Sequence, residues 1–283
     1  MLILSFDVGI KNLAYSISKY NKENNTYKIL EWDIINILKD EIDSQKKCDK
    51  CSKFAKYITK NDEYCFCQKH KNLINLYKPF ELKKYETKID KCSVEKCNKI
   101  VKYTLNNKKI CASHKVQLQK EYKECYNYLR LKNVNCKTYP IHDILLKIIK
   151  IFNEKYLYFL LVDKVLIELQ PVLRGPKMKT ISNHIYSYFL INGVCNDNFK
   201  MNTVSYINAS NKLKLFKDNE NKDLTQYKNR KKLAIENVNY FLKYINQKTF
   251  ENFFNDSKKK DDLADSLLQS LYYLESNYNF KIN

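Results

Sequence analysis

Met1-Leu2-Ile3-Leu4-Ser5-Phe6-Asp7-Val8-Gly9-Ile10-Lys11-Asn12-Leu13-Ala14-Tyr15-Ser16-Ile17 is an apolar run that climbs to one carboxylate, Asp7. It passes a glycine two residues later and returns through a second apolar stretch, Leu13 to Ile17. The pattern predicts a β-hairpin whose first strand is buried and ends in an aspartate. A carboxylate among buried apolar side chains is costly unless it is paired or binds a cation. Asp7 is therefore read as a cation ligand in preference to a turn cap. Gly9 is read as the residue that lets the chain turn without a Cβ penalty.

Outward from this hairpin, 27–34 reads as a third strand and 35–42 as the start of a helix. Helical patterns follow over 116–131 and 141–159. Asp163-Lys164-Val165-Leu166-Ile167-Glu168-Leu169-Gln170-Pro171 reads as a buried strand ending in a second carboxylate. The periodicity of Met178, Ile181, Ile185 and Phe189 predicts a helix over 177–190, with Gly193 placed to stop it. A short strand over 203–207 and amphipathic helices over 227–245 and 261–274 complete the chain. Strands first, then strands alternating with helices, predict an α/β fold with helices on the faces of its sheet.

The formal charge of +20 over 283 residues favours a polyanionic partner. Arg130, Arg174 and Arg230 are the only arginines. Lysines act as point charges on phosphates, whereas bidentate reading of bases favours arginine, so the composition points to backbone or shape recognition. No stretch is long and apolar enough to span a membrane. The N-terminal run lacks the basic region and small-residue cleavage site of a signal peptide.

The texture changes at Lys46. Between Lys46 and Lys123 there are 21 lysines against 8 acids, and seven of the ten cysteines. Cys48-Asp49-Lys50-Cys51 is followed by Cys67-Gln68-Lys69-His70. Cys92-Ser93-Val94-Glu95-Lys96-Cys97 is followed by Cys111-Ala112-Ser113-His114. Each set, Cys48, Cys51, Cys67, His70 and Cys92, Cys97, Cys111, His114, offers three thiolates and one imidazole, the donors of a closed structural zinc site. The segments also repeat one another: Cys51-Ser52-Lys53-Phe54-Ala55-Lys56-Tyr57 matches Cys97-Asn98-Lys99-Ile100-Val101-Lys102-Tyr103. Cys65 could stand in for Cys67, but the spacing in the second repeat favours Cys67. Cys125, Cys136 and Cys195 read as small core residues. The expected organisation is a core split into 1–45 and 124–283 by a basic insertion, 46–123, holding two zinc ions. Zinc thiolates imply a reducing, intracellular compartment.

Four acids stand out: Asp7 and Glu168 at the ends of buried strands, and Asp262 and Asp265, three apart on the last helix and hence on one face of it. Phosphodiester hydrolysis calls for such a set, because two divalent cations held about 3.5–4 Å apart by carboxylates can clamp the attacking and leaving oxygens. In this order, Ser5-Phe6-Asp7-Val8-Gly9-Ile10-Lys11-Asn12-Leu13-Ala14, Ile167-Glu168-Leu169-Gln170-Pro171 and Asp261-Asp262-Leu263-Ala264-Asp265-Ser266 resemble the three motifs of the poxvirus-type Holliday junction resolvases. These are the large-DNA-virus and mitochondrial-like branch of the RuvC-type, ribonuclease H-like nucleases. The resemblance covers the chain outside 46–123; the zinc insertion departs from it.

That resemblance implies a ribonuclease H-like mixed sheet flanked by helices and a magnesium- or manganese-dependent endonuclease that resolves four-way DNA junctions. Asp7, Glu168, Asp262 and Asp265 would hold two metal ions. It also implies a catalytic lysine, Lys212 or Lys214, DNA contacts from Arg174, Lys177 and Lys179, and a homodimer matched to the two-fold symmetry of a junction. If the source is viral, the protein would act where viral DNA replicates. Two other readings stand beside it. A transposon-type RuvC nuclease has a nearly identical first motif, but its zinc ribbon lies between the second and third motifs. A non-catalytic, zinc-stabilised DNA-binding protein would not need all four acids. Asp261 is expected to cap the last helix, leaving Asp262 to the metal.

Overall fold

The computed structural model describes residues 1–60, 63–76, 82–86, 89–105, 107–125, 128–170, 175–208 and 227–281. Arg174, Lys212 and Lys214 lie outside them. The chain divides into two compact units, Met1–Lys39 with Cys136–Asn283, and Asp40–Asn135.

The first unit is built on a five-stranded sheet. Its strands are β1 (Leu2–Val8), β2 (Asn12–Asn21), β3 (Thr26–Asn36), β10 (Lys164–Leu169) and β11 (Thr203–Asn208), in the order β11-β10-β1-β2-β3. The two hairpin connections are antiparallel, while β10 lies parallel to β1 and β11 parallel to β10. This mixed sheet with helices on both faces is the ribonuclease H-like arrangement. The Asp163 carboxylate accepts a hydrogen bond from the Leu2 backbone N–H at 2.6 Å, tying the start of β10 to that of β1. Gly9 turns the hairpin for a reason other than a left-handed backbone. Its φ is not positive, but a Cβ there would stand 2.5 Å from the Asn12 carbonyl oxygen.

Alternation along β1 sends Phe6 to one face and Ser5 and Asp7 to the other. Phe6 meets Phe152, Phe159 and Phe189 at ring-centroid distances of 5.9, 5.7 and 5.6 Å. Two of these rings come from helices α3 (Ile141–Lys155) and α4 (Pro176–Phe189). α3 follows Pro140 and buries Ile144, Ile148 and Phe152, one residue per turn. α4 has Pro176 in its first turn, where a missing N–H costs nothing, and runs on through a π-helical turn, Leu190–Val194, that buries Gly193.

The opposite face carries α5 (Tyr227–Tyr244), α6 (Lys248–Asp256) and α7 (Lys260–Tyr278). Leu263, Leu267, Leu271 and Leu274 of α7 are fully buried with Ile3, Leu166 and Phe241. α6, which the sequence reading lacked, is anchored by Phe254, stacked on Trp32 at 5.1 Å and 14°. The helix expected over 35–42 is smaller: β3 continues to Asn36, and α1 is only Lys39–Asp43. In the 116–131 region, helix α2 covers Ala112–Cys125, and a strand, β9, covers Tyr128–Arg130.

The second unit holds two small antiparallel sheets. One has the order β5-β4-β9, with β4 (Tyr57–Thr59) and β5 (Cys65–Phe66). The other has the order β6-β7-β8, with β6 (Leu82–Lys84), β7 (Tyr103–Leu105) and β8 (Lys108–Ile110). Pairing of Tyr57, Ile58 and Thr59 with Arg130, Leu129 and Tyr128 draws β9 into this unit. Its apolar clusters are minute, and the two beside the cysteine–histidine sets hold Cys48, Tyr57, Phe66 and Cys67 in one, Cys92, Leu105, Ile110 and Cys111 in the other. Half the members of each are cysteines, so neither cluster suffices as a core without a cross-link or an ion. Among the described residues, no helix is long and apolar enough to cross a membrane.

Candidate active site and metal centres

Register brings the first two acids together. β1 and β10 pair Ser5 with Leu166 and Phe6 with Ile167, and the next residues along the two parallel strands are Asp7 and Glu168. Ser5 Oγ lies 3.4 Å from Gln269 Oε1 of α7, and Leu166 belongs to the core beneath that helix. Asp7 and Glu168, two residues further along, face the same way.

α7 brings the other two. Asp262 accepts a hydrogen bond from Asn12, the Ser266 carbonyl accepts one from Ser16 Oγ at 3.1 Å, and Ser270 Oγ meets the Tyr27 hydroxyl at 2.8 Å. Asn12 lies beyond the pairing of Leu13 with Val8, and Ser16 pairs with Ser5. α7 therefore runs antiparallel to β1, with its first turn at the strand end that carries Asp7. Asp265 precedes Gln269 by about one turn and lies that much nearer Asp7. All four acids thus share one end and one face of the sheet. Among the described residues, the groups that bring three or more such side-chain ligand atoms within 4.8 Å of one another are two cysteine–histidine sets; the acids are not drawn to that spacing.

The first turn of α7 separates two adjacent acids. Lys259 is the N-cap residue, and no side chain caps the helix, so the cap expected of Asp261 is not formed. The cap falls two residues earlier than the lysine run suggested. Asp261 instead pairs with the Lys231 ammonium of α5. Burial pushes the Asp261 carboxyl up, but the bond and charge of Lys231, a bond from its own backbone N–H and the charge of Lys259 together outweigh it and hold the group below the usual carboxylate range. Asp262 moves the other way. Burial raises it, the neighbouring Asp261 charge adds to the rise, and Lys259, with Nζ at 3.9 Å, offsets part of it. An anion that its surroundings disfavour is suited to a cation.

Around these acids lie residues that the sequence reading passed over. Gln170 is buried and its Nε2 reaches the Val8 carbonyl at 3.4 Å, holding the turn after β1. Trp32 Nε1 donates to the Leu263 carbonyl at 3.1 Å, fixing α7 on the sheet. Lys177, expected to face DNA, has three carbonyl partners instead: Cys136 at 3.4 Å, Lys137 at 2.8 Å and Tyr139 at 2.6 Å. An ammonium has three donors, so none is left for a phosphate. Lys179 is half-buried on α4.

Both cysteine–histidine sets converge in the second unit. The ligand atoms of Cys48, Cys51, Cys67 and His70 lie within 4.8 Å of one another, as do those of Cys92, Cys97, Cys111 and His114. Tetrahedral zinc, with bonds of about 2.3 Å to sulfur and 2.0–2.1 Å to nitrogen, needs sulfurs about 3.8 Å apart and sulfur–nitrogen spacings of about 3.6 Å. The Cys51–Cys67 and Cys97–Cys111 sulfurs are 3.8 and 3.9 Å apart. His70 Nδ1 lies 3.4 and 3.7 Å from the Cys48 and Cys67 sulfurs, and His114 Nδ1 lies 3.3 and 3.6 Å from those of Cys92 and Cys111. These spacings are too long for disulfides and suit a zinc tetrahedron. Cys65 packs instead with Ala55 and Ile58.

No protein-family model matches the sequence. Among solved structures, the chain is similar to the fowlpox virus resolvase in complex with its substrate Holliday junction DNA, at 18% identity and a TM-score of 0.39 over 98% of each chain. It is also similar to the yeast mitochondrial Holliday junction resolvase Ydc2, at 13% identity and a TM-score of 0.42 over 98% of this chain and 83% of that one. Among curated proteins, the uncharacterized protein L451 of Acanthamoeba polyphaga mimivirus is 32% identical over 313 aligned positions, covering 97% of this chain and 75% of that protein. Identity at that level, sustained along nearly the whole chain, means that the chain belongs to the same family as the mimivirus protein L451.

Proposed function

We propose that this chain is a metal-dependent endonuclease that cuts branched DNA at four-way junctions. The observation that carries the reading is the shared position of Asp7, Glu168, Asp262 and Asp265 at one end of the central strands, under the first turn of α7. Oxygen donors supplied by two strands and a helix suit a hard divalent cation such as Mg²⁺ or Mn²⁺. When bound there, such ions supply the positive charge that activates water and offsets charge developing on the phosphate. The chain's own residues hold the frame. Asn12 orients Asp262, Lys231 draws Asp261 aside, and Trp32, Ser16 and Ser5 fasten α7 to the sheet.

Preference for the four-way junction rests on the motif resemblance, and so do Lys212 or Lys214 as a catalytic lysine and Arg174 as a DNA contact. A homodimer would set two such sites symmetrically about the two-fold axis of a junction. The closed Cys₃His sets are structural, holding zinc that makes the second unit foldable in a reducing compartment. The lysine-dominated charge supports contact with phosphates over base reading.

The test is Mg²⁺-dependent nicking of a labelled four-way junction beside a linear duplex of the same arms. Symmetric nicks in the junction, with the duplex left intact, support the reading. Equal nicking of both would make it a nuclease without junction preference. Binding without nicking in Mg²⁺ or Mn²⁺ would favour the non-catalytic reading.

A further inference from the structure

The internal repeat of the second unit preserves more than metal ligands. In the first copy, Cys48 N–H donates to the Lys53 carbonyl and Lys56 N–H to Phe66; in the second, Cys92 donates to Lys99 and Lys102 to Ile110. Bridges pair Lys47 with Phe54 and Lys91 with Ile100 at the same point of each. Side chains follow the backbone. Ala55 and Val101 are buried, whereas Lys53, Phe54 and Lys56, like Lys99, Ile100 and Lys102, are exposed. Within each copy the lysine after the ligand histidine lies over the matching tyrosine ring, Lys71 on Tyr57 at 5.0 Å and Lys115 on Tyr103 at 4.1 Å.

Ligands, buried residues and the inner lysine–tyrosine pair are what a metal module needs in order to fold. An outward apolar side chain between two outward lysines is not. Phe54 is 40% and Ile100 58% exposed, which costs solvation without helping the fold. In the second copy this tip borders a cleft of about 420 Å³ lined by Lys84, Tyr85, Glu86, Ile100, Lys102 and Tyr103. The surrounding sequence, with 21 lysines against 8 acids, selects a polyanion as the occupant.

We propose that the two tips, one formed by Lys53, Phe54 and Lys56 and the other by Lys99, Ile100 and Lys102, are equivalent DNA-docking elements. Their lysines meet phosphates, and Phe54 and Ile100 press on sugar or base edges between them. This rests on the DNA-cutting reading above only for its choice of DNA, and it adds that the second unit binds the arms of the substrate. Lysine–phosphate contacts release counterions, while apolar contacts do not, so the two kinds of residue leave different signatures.

The experiment measures junction affinity against salt by fluorescence anisotropy with the full chain carrying Asp7→Asn, so that the DNA stays intact. Each lost phosphate contact should lower the log–log salt slope by about 0.9. Lys53→Gln, Lys56→Gln, Lys99→Gln and Lys102→Gln together should therefore lower it by roughly 3–4, and shrink the affinity lost between about 50 and 200 mM salt by roughly a hundredfold. Phe54→Ser with Ile100→Ser should weaken binding severalfold at an unchanged slope. Zinc content and thermal midpoint report folding; if the fourfold variant loses zinc, the two double variants are read instead, each expected to lose about half as much slope. An unchanged slope, or an equal loss from Lys19, Lys28, Lys150 and Lys248 changed to glutamine, would overturn the proposal and leave the nuclease reading standing. A change in oligomeric state with no change in slope would overturn it in favour of self-association. A parent chain that binds no DNA would overturn both readings. One that binds DNA, but does not cut it with Asp7 intact, would overturn only the nuclease reading.

Discussion

Changing Asp261 and Asp262 separately to asparagine should have opposite effects on stability and on cleavage. Asp261 forms a partly shielded ion pair with Lys231, with side chains 22% and 38% exposed. A pair at that exposure is worth about 0.5–1 kcal/mol, and a unit of this size loses about 2–4 °C of thermal midpoint per kcal/mol, so Asp261→Asn should lower the midpoint by about 1–4 °C. Because the folded-state pKa of Asp261 is held down, its contribution is present above the unfolded carboxylate range and fades as pH falls through the folded value. The deficit of Asp261→Asn should therefore narrow at acid pH, while most cleavage survives. Asp262 has the reverse sign. Its raised pKa means that ionisation works against the fold, so Asp262→Asn should match or exceed the parent midpoint at neutral pH. It should nonetheless abolish cleavage, as expected where a site keeps an unfavourable charge for chemistry. The assays are thermal melts without added metal between pH 4 and 8, and junction nicking in Mg²⁺. A fully stable but inactive Asp261→Asn beside an active Asp262→Asn would reverse the two roles.

Phe254→Ala removes a fully buried ring stacked on Trp32 and should cost about 3–5 kcal/mol, read as a large drop in denaturation midpoint. Lys177→Met breaks the three carbonyl bonds over 136–139 and should destabilise by about 1.5–3 kcal/mol, with the salt slope of DNA binding unchanged; a reduced slope would return Lys177 to the DNA interface. The purified chain should hold two zinc ions. Cys51→Ser and Cys97→Ser should each lower the count by one, whereas Cys65→Ser should leave it at two, by elemental analysis.

The parts of this fold legible in the sequence are those written in local periodicity or spacing. The 1–17 hairpin, the strand that ends at Glu168 and the α5 and α7 stripes each repeat at their own period. The two Cys₃His sets were legible because ligand spacing and duplication coincide. What stayed hidden depends on partners far along the chain. Asp7 lies beside Glu168 through a register between strands 161 residues apart, which no local pattern encodes. Asp261 looked like a helix cap because its true partner, Lys231, sits 30 residues upstream on another helix. Lys177 looked like a phosphate ligand because its three carbonyl partners lie about 40 residues away on a stretch without periodicity. α6 was missed as a short aromatic segment whose stability comes from Trp32, more than 200 residues earlier on β3.

Whether the carboxylates at the end of β1 and β10 perform metal-dependent phosphodiester cleavage is decided with one labelled four-way junction and two proteins, the parent chain and Glu168→Gln. Affinity and single-turnover nicking are measured on the same DNA in Mg²⁺. Glu168→Gln should bind the junction at least as tightly as the parent and make no nicks, because removing a carboxylate removes chemistry while the lysines still hold the phosphates. Residual Mg²⁺-dependent nicking by a clean Glu168→Gln preparation would rule out that role for the carboxylates.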